Sequence, residues 1–443
     1  MRNIIITILM VAVTVGLPAD ILTLARAREL ALSSNPQLLG AYHNQEASRA
    51  GMWNSALSLG PKANFTGNYS QYDPKFQGQA ENYKGYGITV TQPLFNGGAF
   101  WLGYRMSRSQ AEIARANFTA QQLKTLVEVE SKYFNVLESK NLLSIAGKDL
   151  QSAELNLQIA ETRQANGTIP RAELLQMRSQ KSAREATLIQ RQSLYQVNIL
   201  DLANYLQISP DFELEEPSPA DIAPEIDYLN QIDTFLLSAL EKELWQQVEQ
   251  NNPQLKILSQ TDKISQYNLW LARGKFLPSL NISYSRNWEK YDYEADYSES
   301  ERLMLTASLP LFPLLDNLSG LAQASHRHRQ VNYESKAARD GIELGLKSVV
   351  LNLLYTAKAL EAAAISRDFA RESYNLMQER YRNQLISSSE LLDAEVALAS
   401  SENQYISTFF NYLRMKSSLR EISGELEEEN LNAIIFELFQ EVE

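Results

Sequence analysis

The chain contains no cysteine, only three histidines and few glycines. Without cysteine there is no disulfide, no thiolate nucleophile and no cysteine-ligated metal or iron–sulfur site. Two of the histidines, at 326 and 328, point in different directions on a helix and cannot share a metal ion. The low glycine content and the lack of nucleophile or phosphate-loop motifs argue against an enzyme. We therefore predict no catalytic residues, no cofactor and no metal site.

Basic residues are also in short supply. The chain has 41 Lys and Arg against 53 Asp and Glu, which gives a formal net charge of −12. No nucleic-acid partner is therefore expected. Mean hydropathy is −0.31, which argues against a bundle of apolar membrane helices. What is present at the start is Arg2 followed by an apolar run and a helix-breaking Pro18. Residues 1–19 are thus predicted to be a signal peptide, and the protein to be exported.

An internal repeat runs through almost the entire chain. The pair Asn35-Pro36 returns as Asn252-Pro253, an offset of 217 residues, and one register then holds over many uncommon residues. Matches at this offset include Trp53 with Trp270, Pro61 with Pro278, Asn135 with Asn352, Arg163 with Arg380 and Tyr195 with Tyr412. The sequence predicts two copies of one unit, 20–208 and 237–424. A proline-rich linker, 209–236, joins them, and an acidic tail, 425–443, follows.

Each copy contains two stretches of alternating polar and apolar residues, predicted as the strands of a β-hairpin. They cover 63–72 and 84–94 in the first copy and 280–291 and 302–311 in the second. Uncharged polar residues occupy one face and apolar residues the other, with Tyr and Trp near the ends, as in a transmembrane barrel wall. A soluble sheet with one wet face fits the strand pattern equally well. We assign Ile88, Val90, Ile282, Leu305 and Leu309 to lipid, and Thr89, Thr91, Ser283 and Ser308 to the lumen.

After each hairpin comes a long antiparallel helix pair. The helices are predicted at 98–165 and 170–207, and again at 315–382 and 387–423, with turns at 166–169 and 383–386. Apolar residues recur every seven positions, which indicates coiled-coil packing. In the linker, the chain is predicted to be irregular and then helical from Tyr228 onward.

Four strands cannot close a barrel, and open sheet edges are not tolerated in lipid. We therefore expect the chain to oligomerise. The fold class is mainly α with membrane β, in two tandem repeats of helix, hairpin and long helix pair. An alternative is an exported trimeric coiled-coil scaffold or adhesin without a pore.

These residues resemble the outer-membrane efflux protein family, the TolC-like channel-tunnels. The marks are the Asn-Pro pairs, Pro61 and Pro278, the run 92–98, and an Arg-x-x-x-Gly tip followed by an acid and two aliphatic residues. The resemblance implies a homotrimer with a 12-stranded barrel in the outer membrane of a Gram-negative bacterium and a 12-helix barrel in the periplasm. It also implies a passive exit duct in a tripartite efflux or type I secretion system, with the linker and the tail at the tunnel's equator. The implied partners are outer-membrane lipid, a periplasmic adaptor (membrane fusion) protein and an inner-membrane pump of RND, ABC or MFS type.

The resemblance also implies roles for residues around the two turns. Those matched to the periplasmic gate or cation ring are Glu390, Asp393, Glu173, Tyr381 and Ile386. Those matched to the adaptor-facing tips are Arg163, Gly167, Thr168, Ile169, Arg380, Gln384 and Leu385. Gln384 replaces the glycine of the first turn, so the two tips are not equivalent in sequence. Acids in a first helical turn also complement the helix dipole, and this simpler role for Glu390 and Asp393 stays open.

Overall fold

The structure is a computed structural model that describes residues 21–71, 82–292, 294–309 and 314–425. It is mainly helical. The helices are α1 (Leu24–Ser34), α2 (Pro36–Leu57), α3 (Ala99–Ala165), α4 (Arg171–Leu206), α5 (Pro219–Gln231), α6 (Thr234–Asn251), α7 (Pro253–Gly274), α8 (Leu314–Arg382) and α9 (Ser388–Ser423). The strands are β1 (Ile21–Leu22), β2 (Lys62–Gln71), β3 (Asn82–Asn96), β4 (Glu213–Leu214), β5 (Ser279–Tyr291) and β6 (Ser298–Ser308).

The Asn-Pro pairs interrupt the helices as expected. Asn35 has an extended backbone and ends α1, and α2 begins at Pro36, because a residue before proline is displaced from the helical region. Asn252 is the N-cap of α7, where its side chain accepts hydrogen bonds from the backbone N–H of Gln254 and Leu255 at 2.8 and 3.1 Å. Proline at the first helical position needs no hydrogen-bond acceptor for its nitrogen.

The linker is more helical than the sequence suggested. Helix α5 begins at Pro219, well before Tyr228, and ends at Gln231. Ser218 caps it, accepting a hydrogen bond from the Ala220 N–H at 3.3 Å, and Pro219 occupies the first turn. The prediction of a helix starting at Tyr228 was therefore wrong. Its error was to treat every proline as a helix breaker, although proline is well suited to a first helical turn.

The sheet has four antiparallel strands in the order β2-β3-β5-β6. The predicted hairpins are present, with β3 extending to Asn96 and β6 beginning already at Ser298. Directly paired residues share a face, so the register tests whether the two predicted faces agree between strands. One face carries the row Ala63, Val90, Tyr284 and Leu303, and the other carries the row Asn64, Thr89, Ser285 and Arg302. In these rows, the apolar residues of all four strands lie on one face and the polar residues on the other.

Two helices are exceptionally long, α3 with 67 residues and α8 with 69. Heptad positions such as Val129, Leu353 and Leu391 are buried, as coiled-coil packing requires. Arg367 breaks the apolar heptad pattern. Its guanidinium lies over the ring of Tyr405, 4.0 Å from the centroid, so its charge interacts with an aromatic face at a position where other heptads have an aliphatic residue.

The contacts divide the chain into two compact units. One contains the chain up to Asn35, Thr125–Leu237 and Val349–Leu419; the other contains Pro36–Lys124, Ser238–Ser348 and the chain from Arg420. Both helical turns belong to the first unit, and the four-stranded sheet belongs to the second. Among the described residues, the segment Leu315–Arg382 is long and apolar enough to cross a membrane by length and composition alone. The core helix of a soluble bundle passes the same test.

Some predictions fall outside the described residues. These are the signal peptide at 1–19, the first residue of the repeat predicted at 20–208, and the hairpin residues 72–81, which include the last residue of the strand predicted at 63–72. The last two residues of the strand predicted at 302–311 and all of the tail except Glu425 also lie outside the described residues.

Candidate functional site: the two helical turns

Both turns are built by the same pattern of backbone hydrogen bonds. After α3, the Gly167 N–H donates to the Gln164 carbonyl at 3.0 Å and the Thr168 N–H to the Arg163 carbonyl at 2.9 Å. After α8, the Gln384 N–H donates to the Tyr381 carbonyl at 3.0 Å and the Leu385 N–H to the Arg380 carbonyl at 2.9 Å. This is the Schellman motif, which satisfies the last carbonyls of a helix.

The motif requires a left-handed residue, and the two turns supply it differently. Gly167 has φ +73° and Gln384 has φ +64°. Glycine adopts this region without strain, whereas a residue with a Cβ pays roughly 1–2 kcal/mol. The replacement of glycine by Gln384 thus changes the side chain at the second turn and leaves its backbone conformation unchanged.

A hydrophobic core holds the two turns together within the first unit. Its buried members come from all four helices: Ala160, Leu174, Met177, Tyr374, Tyr381, Leu391 and Leu392. Ile169 of the first turn and Ile386 of the second pack against it. We refer to this group as the tip core. The gate candidate Ile386 therefore contributes to packing inside one subunit.

Arg163 and Tyr381 form the polar part of this packing. The Arg163 guanidinium lies 4.2 Å from the centroid of the Tyr381 ring and donates to the backbone carbonyls of Tyr381 and Arg382. Arg163 is 8% exposed and Tyr381 is fully buried. The cation thereby covers carbonyls at the negative end of α8. Arg163, which the resemblance predicts to face an adaptor, has its side chain enclosed by its own subunit in this structure.

Burial raises the pKa of the Tyr381 hydroxyl, and the nearby charge of Glu173 acts in the same direction, while Arg163 lowers it. The hydroxyl oxygen is buried and has no hydrogen-bond partner among the described residues. The resemblance predicts that Tyr381 belongs to the periplasmic gate. In this structure its ring packs in the tip core.

The second helices begin differently. Pro170 is the N-cap of α4 and offers no side-chain cap. Before α9, the Glu390 carboxylate accepts hydrogen bonds from the Ser387 N–H at 2.8 Å and the Ser387 hydroxyl at 2.9 Å. The Glu390 N–H donates back to the Ser387 hydroxyl oxygen at 3.4 Å. This capping box lowers the pKa of Glu390. The Ser-x-x-Glu spacing in the sequence is the signal that sequence reasoning overlooked.

The remaining candidates lie at the surface or at its edge. Asp393 is exposed and Glu173 is half-buried. At the turns themselves Gly167, Thr168, Arg380, Gln384 and Leu385 are exposed, and Leu385 has 71% of its side-chain surface accessible. An apolar side chain this exposed at the end of a helix offers contact area to a partner.

Away from the turns, the same unit buries a charged cluster that sequence reasoning missed. Glu395 is 3% exposed; its carboxylate lies 3.5 Å from the Arg184 guanidinium and accepts from the Asn156 amide at 3.3 Å. Burial raises the pKa of both Glu395 and Asp149, against the opposing charge of Arg184. A single acid buried between packed helices leaves no periodic signature, so the sequence pattern could not reveal it.

His328 lies in the other unit. Its Nδ1 is 2.7 Å from the Ser265 hydroxyl and 3.7 Å from an Asp262 carboxylate oxygen. Both partners approach the same ring nitrogen, whereas a catalytic relay uses one nitrogen for each partner. Within the described part of the chain, no group of three or more potential metal ligands is present.

Comparison with known proteins agrees with this architecture. The sequence pattern described as "Outer membrane efflux protein" matches residues 27–206 and 244–425. The alkaline protease secretion protein AprF of Pseudomonas aeruginosa is 24% identical over 425 residues, covering 91% of this chain and 85% of that protein.

Solved structures share the fold at low identity. The outer membrane protein VceC of Vibrio cholerae has a TM-score of 0.76 at 14% identity, over 91% of this chain and 96% of that one. The CmeC outer membrane channel of Campylobacter jejuni has a TM-score of 0.75 at 16% identity, over 93% and 89%.

This chain belongs to the outer membrane efflux protein family. It is an exit duct in the outer membrane of a Gram-negative bacterium, extending into the periplasm, and the family and its compared members are channel proteins rather than enzymes. The alternative hypothesis, an exported trimeric coiled-coil scaffold or adhesin without a pore, is not favoured.

Proposed function

We propose that three copies of this chain form a passive duct, with a 12-stranded barrel in the outer membrane and a 12-helix barrel in the periplasm. One observation carries the proposal. The described sheet has two outer strands, β2 and β6, each paired on one side only, and its two faces are sorted into apolar and polar. Such a sheet is stable in lipid only when its edges are closed by neighbouring copies.

A matched pair of substitutions tests the barrel. Ile88 and Thr89 are adjacent in β3 but belong to opposite faces. Lys at Ile88 would place an unpaired charge in lipid beside Arg286, whose own charge is already paired with Glu299 and Glu301. This costs about 2–4 kcal/mol near the membrane centre, while Lys at Thr89 would face water. We expect Ile88→Lys to reduce the heat-modifiable trimer in the outer-membrane fraction and Thr89→Lys to leave it intact. Equal damage from both would reject the face assignment, and a soluble wild-type monomer would reject the duct.

The domain roles follow the same proposal. Residues 20–208 and 237–424 act as two repeats that each supply one hairpin and one helix pair to the trimer. The helix order α2, α3, α4 recurs as α7, α8, α9, which supports this division. The linker 209–236 and the tail 425–443 would surround the tunnel at its equator. The linker is tied to α9, since Glu225 accepts from the Tyr412 hydroxyl and the Lys416 ammonium, both at 2.7 Å.

The exposed part of the turns is our candidate surface for a periplasmic adaptor. Gly167, Thr168, Arg380, Gln384 and Leu385 are accessible there, with Ile169 partly buried behind them. Leu385→Ser should reduce co-purification of the adaptor with the trimer. Leu155→Ser, on the body of α3 and 39% exposed, is the control. Unchanged adaptor recovery from Leu385→Ser would remove this surface from the proposal.

Glu390 and Asp393 are our candidates for the periplasmic cation ring, with Glu173, Tyr381 and Ile386 as supporting gate residues. Three copies would bring up to six carboxylates around a narrow entrance, where their field favours cations. Glu390→Gln combined with Asp393→Asn should keep the trimer and weaken cation selectivity in planar-bilayer recordings. Ile386→Ser should raise conductance by loosening the tip core. Unchanged selectivity in the double variant would leave only the capping role for Glu390.

For cargo, we propose a secreted polypeptide exported with an inner-membrane ABC pump, because the AprF relative is named for protease secretion and aligns over most of both chains. Efflux of small molecules with an RND or MFS pump is the second candidate, supported by the efflux family pattern. Deletion of the gene separates them. Loss of a protein from the culture supernatant supports secretion, and increased drug sensitivity without such a loss supports efflux.

A further inference from the structure

The apolar face of the sheet does not stay apolar along its length. From the helical end toward the hairpin end, its rows begin with Phe95, Leu280 and Ala307. The next rows are Gln92, Ile282 and Leu305, and then Ala63, Val90, Tyr284 and Leu303. Next come Phe65, Ile88, Arg286 and Glu301, and then Gly67, Tyr86, Trp288 and Glu299. The next row contains two lysines, and the row beyond it pairs Gln71 with Asn82. The face therefore changes from mainly aliphatic rows, through rows that mix aromatic and charged residues, to a row with two lysines.

The basic row contains Tyr69, Lys84 and Lys290, and Lys84 is the direct cross-strand neighbour of both other residues. Tyr297 lies beside this row, just before β6 begins at Ser298. The Lys84 ammonium lies over the Tyr69 ring and the Lys290 ammonium over the Tyr297 ring, each 5.9 Å from the ring centroid. Each lysine is thus accompanied by one tyrosine. We call this row the lysine pair.

The two lysines are placed where their charges repel. Directly opposed side chains in an antiparallel ladder have Cβ atoms about 5 Å apart, and like charges there are destabilising. Among the described residues, neither ammonium forms an ion pair with a carboxylate; Lys290 donates to the Ala295 carbonyl at 2.5 Å. A bound anion would remove this repulsion.

Arg286, on the same face, shows the contrasting arrangement. Its guanidinium pairs with Glu299 and, at 3.5 Å, with Glu301, and it lies over the Trp288 ring. The one cation set among the apolar rows is therefore paired with two carboxylates. In the described part of the chain, the two lysine ammoniums at the hairpin end have no carboxylate within ion-pair distance.

In the proposed barrel, the place of the lysine pair along the strands sets its depth in the membrane. This inference therefore rests on the proposed function. The apolar rows would face the hydrocarbon, and the strand ends away from the helices would lie in the outer leaflet. Tyr86 and Trp288 stack at 5.2 Å just below the lysines, where aromatic side chains mark the edge of the hydrocarbon. The lysines would then lie at the level of lipid headgroups.

We propose that the lysine pair binds the phosphate of an outer-leaflet glycolipid. Two ammonium groups at the membrane surface supply charge complementarity to a phosphate. The tyrosines restrict the lysine side chains, and the aromatic row below packs on the acyl and sugar region. Three such sites would surround a trimer.

The experiment uses purified wild-type trimer, whose heat-modifiable mobility and conductance are measured first. Binding of diphosphorylated lipid A and of its dephosphorylated form is then measured for wild type, for Lys84→Gln with Lys290→Gln, and for Lys62→Gln. Lys62 pairs with Thr91 on the opposite face of the same sheet and is the matched control. We expect the double variant to bind the phosphorylated lipid on the order of tenfold to thirtyfold more weakly, with the control unchanged.

The outcomes are separable. No trimer or conductance from wild type would refute the proposed duct. An intact, conducting trimer whose double variant binds both lipids like wild type would overturn the lysine-pair site alone. Equal weakening by Lys62→Gln would overturn it as well, because charge on either face would then suffice. Displacement of the lipid by an equal concentration of inorganic phosphate would overturn the assignment to a lipid.

Discussion

The two helical turns have the same backbone and different side chains. Gly167 and Gln384 take the same left-handed conformation and close the same Schellman motif. The residues around them do not match in role. Arg163 is buried against Tyr381, whereas its counterpart Arg380 is exposed. Pro170 starts α4 without a side-chain cap, whereas Ser387 starts α9 with a capping box.

This difference shows how a duplicated unit can specialise. The backbone of a helical turn is set by the need to satisfy the last carbonyls and first N–H groups of two helices, so both copies keep it. Side chains at the contact between the two copies do not have to satisfy these backbone groups, so they can differ. Arg163 of one copy packs on Tyr381 of the other, and the position equivalent to Tyr381 in the first copy is Gln164. As a result, the first turn supplies the buried cation, Arg163, and the second turn supplies the aromatic ring, Tyr381.

The largest expected effect comes from the buried ring. Tyr381→Ala should destabilise the first unit by about 3–5 kcal/mol, because it leaves a cavity in the tip core. The control Tyr381→Phe should be close to neutral, because the hydroxyl has no hydrogen-bond partner in the described part of the chain. Denaturant unfolding of each trimeric variant, with hydrogen exchange of α8 as the readout, measures both changes in stability. A large loss in Tyr381→Phe would mean that the hydroxyl has a partner in the assembled protein.

The second effect compares the two arginines. Arg163→Ala removes a cation that lies over the Tyr381 ring and donates to two backbone carbonyls. We expect the free energy of unfolding to fall by about 2–3 kcal/mol. Arg380→Ala, at the equivalent exposed position, should change stability by less than about 0.5 kcal/mol. Unfolding midpoints of the two variants test the asymmetry directly. Similar losses for both would mean that the turns are equivalent in energy as well as in backbone.

Much of the fold was predictable because it depends on periodic patterns. Alternation gave the four strands to within a few residues, and the prolines and heptads gave the long helices. The helix start at Pro219 was missed because proline's preference for a first turn was not weighed. In the candidate site, the turns were located correctly, but the burial of Arg163 was not foreseen. An arginine and a tyrosine 218 positions apart leave no pattern in one sequence.

The third effect concerns the left-handed residue. Gln384→Gly should stabilise the second turn and Gly167→Gln should destabilise the first, each by about 1 kcal/mol, because only the non-glycine residue is strained at positive φ. The pair of changes would exchange the residue types of the two turns. Amide exchange of Thr168 and Leu385, whose N–H groups close the two motifs, reports on each turn separately. Opposite signs from those expected would show that side-chain contacts outweigh backbone strain.

The smallest effect tests the two helix starts. Ser387→Ala removes the serine half of the capping box, and since the Glu390 N–H to Ser387 distance is 3.4 Å, a loss of about 0.5 kcal/mol is expected. The converse change Pro170→Ser places a serine three residues before Glu173 and should recover part of the difference between the turns.

The cap also predicts a pH dependence, and its sign follows from the Glu390 hydrogen bonds. The Ser387 N–H and hydroxyl stabilise the ionised carboxylate and hold its folded-state pKa below the ordinary value of 4.5. The contribution is therefore complete above that ordinary value and is lost as the pH falls through the lowered folded-state pKa. Amide exchange in the first turn of α9, measured from pH 6 to pH 3 on wild type and Glu390→Gln, should show extra acid opening in wild type only. The same acid opening in both proteins would assign it to another carboxylate and leave the capping box without a role in stability.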